Sequence, residues 1–355
     1  MAPVSRRRRT WLFRLLVLGI VSLLCGGLLE GLVRVFVPQP PSWLAIYQRH
    51  PRLPTFALQP SAEALVETGE ARWRVHTDAQ GHRCAPPAET PAPAAPVRPE
   101  VLWLGDSFVF GHGADYQDCW VGLLASAPDA GHSHCNTGVP GYGPTQYREV
   151  LEDELAQGHK PAVVVAVSFL GNDFHDTVWN KDVPVMDGVI GGTAGLRSWL
   201  KRSLHSYRLV SQVYHRITGG GRPETDVEVE LADPEQWRTG LLAEGERRYR
   251  DEFARMAARC RDAGLPFLVV LVPSQAMVEK WKQAGPPPGV EVADARAAVA
   301  RAQKILADLE IRTVDLTPAL AEQDPAAMYL RFDGHFTPAG HQVVYGVLRA
   351  LPELR

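Results

Sequence analysis

Val101-Leu102-Trp103-Leu104-Gly105-Asp106-Ser107-Phe108-Val109-Phe110-Gly111-His112-Gly113 is an apolar run that stops abruptly at Gly-Asp-Ser, then turns on glycines into a helix-like segment. In a parallel α/β sheet, this is how a chain carries a small nucleophile to the rim where strands end and helices begin. Ser107 is therefore the candidate nucleophile. The remaining sequence can be read for the residues that would meet it there.

Downstream, the pattern is regular. Val101–Leu104 reads as a short buried strand, and Tyr116–Ala127 as a helix with Trp120, Leu123 and Leu124 on one face. His134–Thr137 suggests a second strand, Gln146–Gln157 a second helix, and Pro161–Phe169 a fully buried central strand. From about Phe174 to Gly240 the alternation breaks, with Gly191-Gly192, Gly219-Gly220-Gly221 and an amphipathic piece over Leu196–Ile217. This stretch reads as an insertion over the strand ends that could shape a cleft. Regularity then returns: a helix over Leu241–Ala263, a strand over Pro266–Val272, a helix over Val292–Leu309, a fifth strand over Arg312–Leu316 and a closing helix over Pro338–Leu351. Alternating strands and helices predict a five-stranded parallel sheet covered on both faces.

Upstream, Arg6-Arg7-Arg8-Arg9 precedes an apolar stretch, and Leu15 to Leu29 carries no charge. Those residues alone span roughly 22 Å as a helix, short of a ~30 Å hydrocarbon core. Apolar residues resume through Leu32, Val33, Val35, Phe36 and Val37, interrupted by Glu30 and Arg34. With Arg14 and Arg34 free to snorkel, residues 11–37 are expected to form a transmembrane signal anchor behind a basic cytoplasmic tail over 1–10. No clear Ala-x-Ala cleavage site follows. The arginine cluster places the remaining chain outside the cytoplasm, periplasmic or at the cell surface. Residues 38–99, rich in proline, are expected as a linker with edge elements, among them an edge strand over Ala71–Thr77 and an exposed loop over Ala85–Pro99. The catalytic-type domain then covers 100–355, with its insertion at about 174–240.

Composition narrows the partners. The 355 residues carry a formal net charge of −3, with 45% hydrophobic and 22% charged residues, so a full core is affordable and no basic surface points to nucleic acid. Of the five cysteines, Cys25 lies in the apolar segment, and Cys84, Cys119, Cys135 and Cys260 form no CxxC pair. Cysteine spacing alone therefore gives no zinc site. An oxidising compartment would permit a disulfide among Cys84, Cys119 and Cys135 without assigning one.

Four groups of polar residues fall just past predicted strand ends: Ser107, Gly141, Asn172, and Asp333 with His335. A serine hydroxyl needs an imidazole to take its proton, and that imidazole needs a partner that holds its tautomer. His335 can be the base, oriented by Asp333 or by a backbone carbonyl. The N–H groups of Ser107 and Gly141 and the Asn172 amide can form an oxyanion hole, each such donor being worth roughly 3–4 kcal/mol. His175 and Asp176 could line the cleft, whereas His341 reads as a packing residue. Asp333, His335 and His341 are possible metal ligands, yet serine chemistry needs no metal, so neither a metal nor a cofactor is expected.

Gly105-Asp106-Ser107-Phe108, Asn136-Thr137-Gly138-Val139-Pro140-Gly141-Tyr142-Gly143, Gly171-Asn172-Asp173 and Asp333-Gly334-His335 resemble, in order, the four blocks of the SGNH/GDSL hydrolase superfamily. The resemblance implies a flavodoxin-like three-layer α/β/α sandwich, a nucleophile at Ser107, oxyanion donors at Ser107, Gly141 and Asn172, and an acid–base pair at Asp333 and His335. Many members carry Asp-x-x-His in the last block. The shorter Asp-x-His here resembles the branch that includes membrane-anchored or periplasmic polysaccharide O-acetyltransferases. The expected activity is ester hydrolysis through an acyl-enzyme, on an ester or an acylated carbohydrate. A carbohydrate O-acetyltransferase fed by a membrane partner that supplies acyl groups is the second reading, and an inactive glycan- or lipid-binding module the third.

Overall fold

The computed structural model describes residues 6–37, 44–87, 98–179, 181–191, 195, 199–200, 203–218 and 225–354. Gly192, Gly219, Gly220 and Gly221, and part of the expected loop over 85–99, lie outside the described residues. The chain divides into two compact units, 1–41 with 193–222, and 42–192 with 223–355.

The larger unit is built on one eight-stranded sheet rather than the five strands expected. The strands are β1 (Tyr47–Arg49), β2 (Phe56–Leu58), β3 (Glu63–Glu67), β4 (Arg72–Thr77), β5 (Arg83–Cys84), β6 (Glu100–Leu104), β7 (Ser133–Asn136), β8 (Val163–Phe169), β9 (Val185–Met186), β10 (Val189–Ile190), β11 (Phe267–Val272) and β12 (Arg312–Asp315). The sheet order is β12-β11-β8-β6-β7-β5-β4-β3. The first five are parallel, and β5, β4 and β3 extend the sheet antiparallel. The remaining strands pair as two small ribbons, β1 with β2 and β9 with β10.

The three layers follow from side-chain alternation along the central strands. Leu102, Leu104, Val164, Ala166, Val269 and Leu271 face one core, packed with residues of the helices Pro144–Ala156, Leu241–Asp262 and Arg296–Asp308. Val101, Trp103, Val163, Val165, Val270 and Val272 face the other, with Trp120, Val344 and Leu348. Both faces of a parallel sheet are thus covered, which is why these strands read as continuous apolar runs.

The linker expectation for 38–99 needs correction from Leu44 onward. Leu44, Ile46, Tyr47, Phe56, Leu58, Val66, Trp73 and Val75 are all buried in the first core. Burying aromatic and branched side chains stabilises by about 1.5–3 kcal/mol each, so this segment belongs to the domain. The expected strand over Ala71–Thr77 is β4.

In the smaller unit, helix α1 (Arg6–Phe36) contains one segment, Thr10–Phe36, long and apolar enough to cross a membrane. At about 1.5 Å per residue it measures ~40 Å. Its one acidic residue has a defined partner: Glu30 accepts hydrogen bonds from the N–H groups of His205 and Ser206, at 2.9 Å each, and from the Ser206 hydroxyl at 2.7 Å. It thereby caps the helix His205–Thr218, where unpaired N–H groups favour an anion. Arg34 bonds Glu30 at 2.6 Å and the Ser203 carbonyl at 2.7 Å.

Candidate active site

The nucleophile turn is fixed by its own sequence. β6 ends at Leu104, and Ser107 opens the one-turn helix α2 (Ser107–Phe110). A Cβ at Gly105 would stand 2.2 Å from Val109 Cγ2 and 3.3 Å from the Val167 carbonyl oxygen, so only glycine lets the chain turn this tightly against β8. Asp106 caps the turn, its Oδ1 accepting from the Phe108 N–H at 2.8 Å. Asn136, at the end of β7, locks the neighbouring loop by donating to the Val109 carbonyl at 2.8 Å and accepting from the Gly138 N–H at 3.1 Å.

His335 Nε2 lies 2.6 Å from Ser107 Oγ, and His335 Nδ1 lies 2.5 Å from Asp333 Oδ1. The carboxylate must accept from Nδ1–H, which leaves Nε2 as the acceptor for the serine proton. The Asp-x-His spacing therefore does bring the two side chains together. Gly334 sits between them with φ +76°, in the left-handed region that glycine enters at little cost. The Leu330 N–H bonds the His335 carbonyl at 2.7 Å and the Gly334 N–H bonds the Leu330 carbonyl at 2.9 Å, closing a tight loop. The imidazole is held between two rings, Phe108 at 4.9 Å and His112 at 4.5 Å between centroids.

Neither the Ser107 N–H nor the Gly141 N–H has an acceptor within the described residues. Gly141 occupies the loop after β7 with φ +92°. Asn172 follows β8 and precedes the helical turn α3 (Asp173–Asp176), and its Oδ1 is enclosed without a partner. His175 and Asp176 are buried and paired elsewhere, with Glu230 at 2.9 Å and with Lys181 at 2.7 Å. His341 is fully buried, accepting the Trp120 N–H at 3.4 Å, and burial pushes its imidazole down to about 3. It is a packing residue.

Three contributors carried no signal in the sequence pattern. His112 brings Nε2 to 3.7 Å from Asp333 Oδ2, so two imidazoles flank one carboxylate. Burial opposes ionisation of Asp333, but the bonds and charge from His112 and His335 hold it well below the usual carboxylate range. Burial pushes the His112 imidazole down. Arg83, 2% exposed, donates to the carbonyls of Phe110, Gly111 (2.6 Å) and Ala114 (2.5 Å) and lies over the Phe110 ring. It fixes the loop that follows α2. Glu70, between β3 and β4, accepts from the N–H groups of Phe332 (2.9 Å) and Asp333 (3.0 Å), and so holds the acid–base loop from the far edge of the sheet. Such long-range contacts between a charged side chain and backbone leave no periodic trace in a sequence.

Asp106, next to Ser107 in the chain, and Asp173 are both buried carboxyls. Burial raises Asp106 to about 7, and burial together with the Asp106 charge raises Asp173 well above its ordinary value. The Tyr147 hydroxyl donates to Asp173 Oδ1 at 3.0 Å.

The family model described as "GDSL-like Lipase/Acylhydrolase family" matches residues 103–343. No curated protein matches the chain. Among solved structures, an acetylxylan esterase from Geobacillus stearothermophilus is 15% identical, over 73% of this chain and 97% of its own, with a TM-score of 0.38. A lipolytic G-D-S-L family protein from Veillonella parvula DSM 2008 is 11% identical, over 71% and 97%, with a TM-score of 0.38. A lipase/acylhydrolase from Enterococcus faecalis is 14% identical, over 70% and 93%, with a TM-score of 0.36. With the family match spanning most of the chain, from the end of β6 to the closing helix, the protein belongs to the GDSL-like lipase/acylhydrolase family.

Proposed function

We propose that the protein is a membrane-anchored, extracytoplasmic serine esterase that hydrolyses its substrate through an acyl-enzyme on Ser107. The observation that carries this reading is the continuous contact Ser107–His335–Asp333, at 2.6 and 2.5 Å. As His335 Nε2 takes the hydroxyl proton, Ser107 Oγ attacks the acyl carbon, and the carbonyl electrons move onto oxygen. The oxyanion forms against the Ser107 and Gly141 N–H groups and the Asn172 amide. Collapse expels the alcohol, which leaves with the proton from His335. Water, deprotonated by the same imidazole, then attacks the acyl carbon, and Ser107 is restored as the carboxylic acid departs. Asp333 stays ionised throughout and stabilises the imidazolium.

The helix Thr10–Phe36 supports the anchor, and Arg6 to Arg9 support an inside amino terminus by the positive-inside tendency. The Asp-x-His spacing favours a second reading, transfer of the acyl group to a sugar hydroxyl. Full-length protein in detergent, given p-nitrophenyl acetate with and without an oligosaccharide, separates the two. The account expects turnover that Ser107→Ala abolishes, with water as the main acceptor. Acyl transfer to the oligosaccharide faster than to water would establish the transferase instead. Absence of Ser107-dependent turnover in folded protein would leave only a silent binding module.

A further inference from the structure

At the other end of β6 from Ser107, three potential ligands converge from three separate elements. Glu100 opens β6, Cys135 lies in β7, and His159 follows the helix Pro144–Ala156. One ligand atom from each lies within 4.8 Å of the others. His82, from the turn before β5, stands beside Cys135, with Nδ1 3.3 Å from its Sγ. We propose that Cys135, His159 and Glu100 form a binding site for a divalent transition metal, best matched by zinc.

The arrangement of hydrogen bonds supports this more than the composition does. Glu154 faces His159 Nδ1 at 2.8 Å and His82 Nε2 at 3.4 Å. A carboxylate accepts from N–H groups at those positions and leaves His159 Nε2 and His82 Nδ1 as the lone-pair atoms. Those are the nitrogens that face Glu100 and Cys135. Metal-bound histidines are commonly oriented in this way by a carboxylate behind the ring. One thiolate, one imidazole and one carboxylate are donors that suit zinc, with a fourth position of its tetrahedron left to water.

Charge points the same way. Asp78, Glu100 and Glu154 all pair only with His82 or His159, and no lysine or arginine forms an ion pair with them among the described residues. A divalent cation would neutralise this excess. His82 and Glu154 also line a cavity of about 380 Å³ beside the cluster. The ligands come from 100, 135 and 159, so no short Cys or His motif could reveal them. A bound metal would tie β6 and β7 to the segment that follows the helix Pro144–Ala156.

The test is zinc content. Full-length protein in detergent, stripped with chelator and then dialysed against zinc chloride, is measured by elemental mass spectrometry. The proposal expects about one equivalent in wild type and in His335→Ala, which breaks the separate His112–Asp333–His335 cluster, and little in His159→Gln or Cys135→Ser. His159 is half-buried and its amide replacement should fold, which thermal melts check for each variant. Zinc should raise the melting temperature of wild type and not that of His159→Gln. Cobalt in place of zinc should give a thiolate charge-transfer band that Cys135→Ser lacks. No uptake by wild type, equal uptake by folded His159→Gln, or loss of uptake in His335→Ala alone would each overturn the assignment.

Discussion

His335 has a different partner on each ring nitrogen, and each partner sets a different requirement. Asp333 on Nδ1 selects the tautomer that leaves Nε2 able to accept. Asp333→Asn preserves shape but can donate to the ring, favouring the wrong tautomer; kcat should fall by about 10⁴-fold with KM little changed. Steady-state kinetics on a chromogenic ester checks this. Asp106 makes a second claim, about stability. Its carboxyl titrates near 7 in the folded chain but near 3.9 when unfolded, so between about pH 4 and 7 the folded state holds a proton that the unfolded state has lost. Stability must then decline as pH rises through that window. Asp106→Asn keeps the acceptor for the Phe108 N–H and removes the titration, so its urea midpoint should fall less between pH 5 and pH 8 than that of wild type. An equal fall in both would contradict the buried-acid account.

Among the elements, the hairpin joining β3 and β4 has an influence out of proportion to its place at the sheet edge. Glu70 fixes two N–H groups of the loop that carries Asp333. Glu70→Ala should lower kcat about tenfold by loosening the acid–base geometry, while a melting curve stays close to wild type. A large loss of stability with unchanged kcat in the folded fraction would contradict this. The parallel strands were legible because burial on both faces demands continuous apolar residues, as in Val163 to Val167. Ser107, Gly141 and Asn172 were legible because each follows the end of such a strand, whereas Asp333 and His335 lie beyond two short helices after β12 and stand out only as an Asp-x-His pair. β3 and β5 were not. Glu63–Glu67 shows no clean alternation, and Arg83–Cys84 is held by a buried guanidinium rather than by hydrophobic periodicity. The stretch from Leu44 to Leu58 was obscured by its prolines, although its aromatic residues pack into the core.

For the whole molecule, the two compact units suggest a division of labour: an apolar helix with its capped partner helix, and a domain that carries the chemistry. If Thr10–Phe36 is an uncleaved anchor, full-length protein should stay with membranes through an alkaline carbonate wash and retain its amino terminus; a mature chain starting beyond Val37 would identify a cleaved signal instead. The central claim is narrower, that Ser107 is a nucleophile activated by His335. The most direct measurement is covalent labelling of folded, full-length protein with a fluorophosphonate, read by peptide mass spectrometry. The account predicts one adduct, on Ser107, absent in Ser107→Ala and strongly slowed in His335→Ala. No adduct on Ser107, or labelling that proceeds at the same rate without His335, would contradict it.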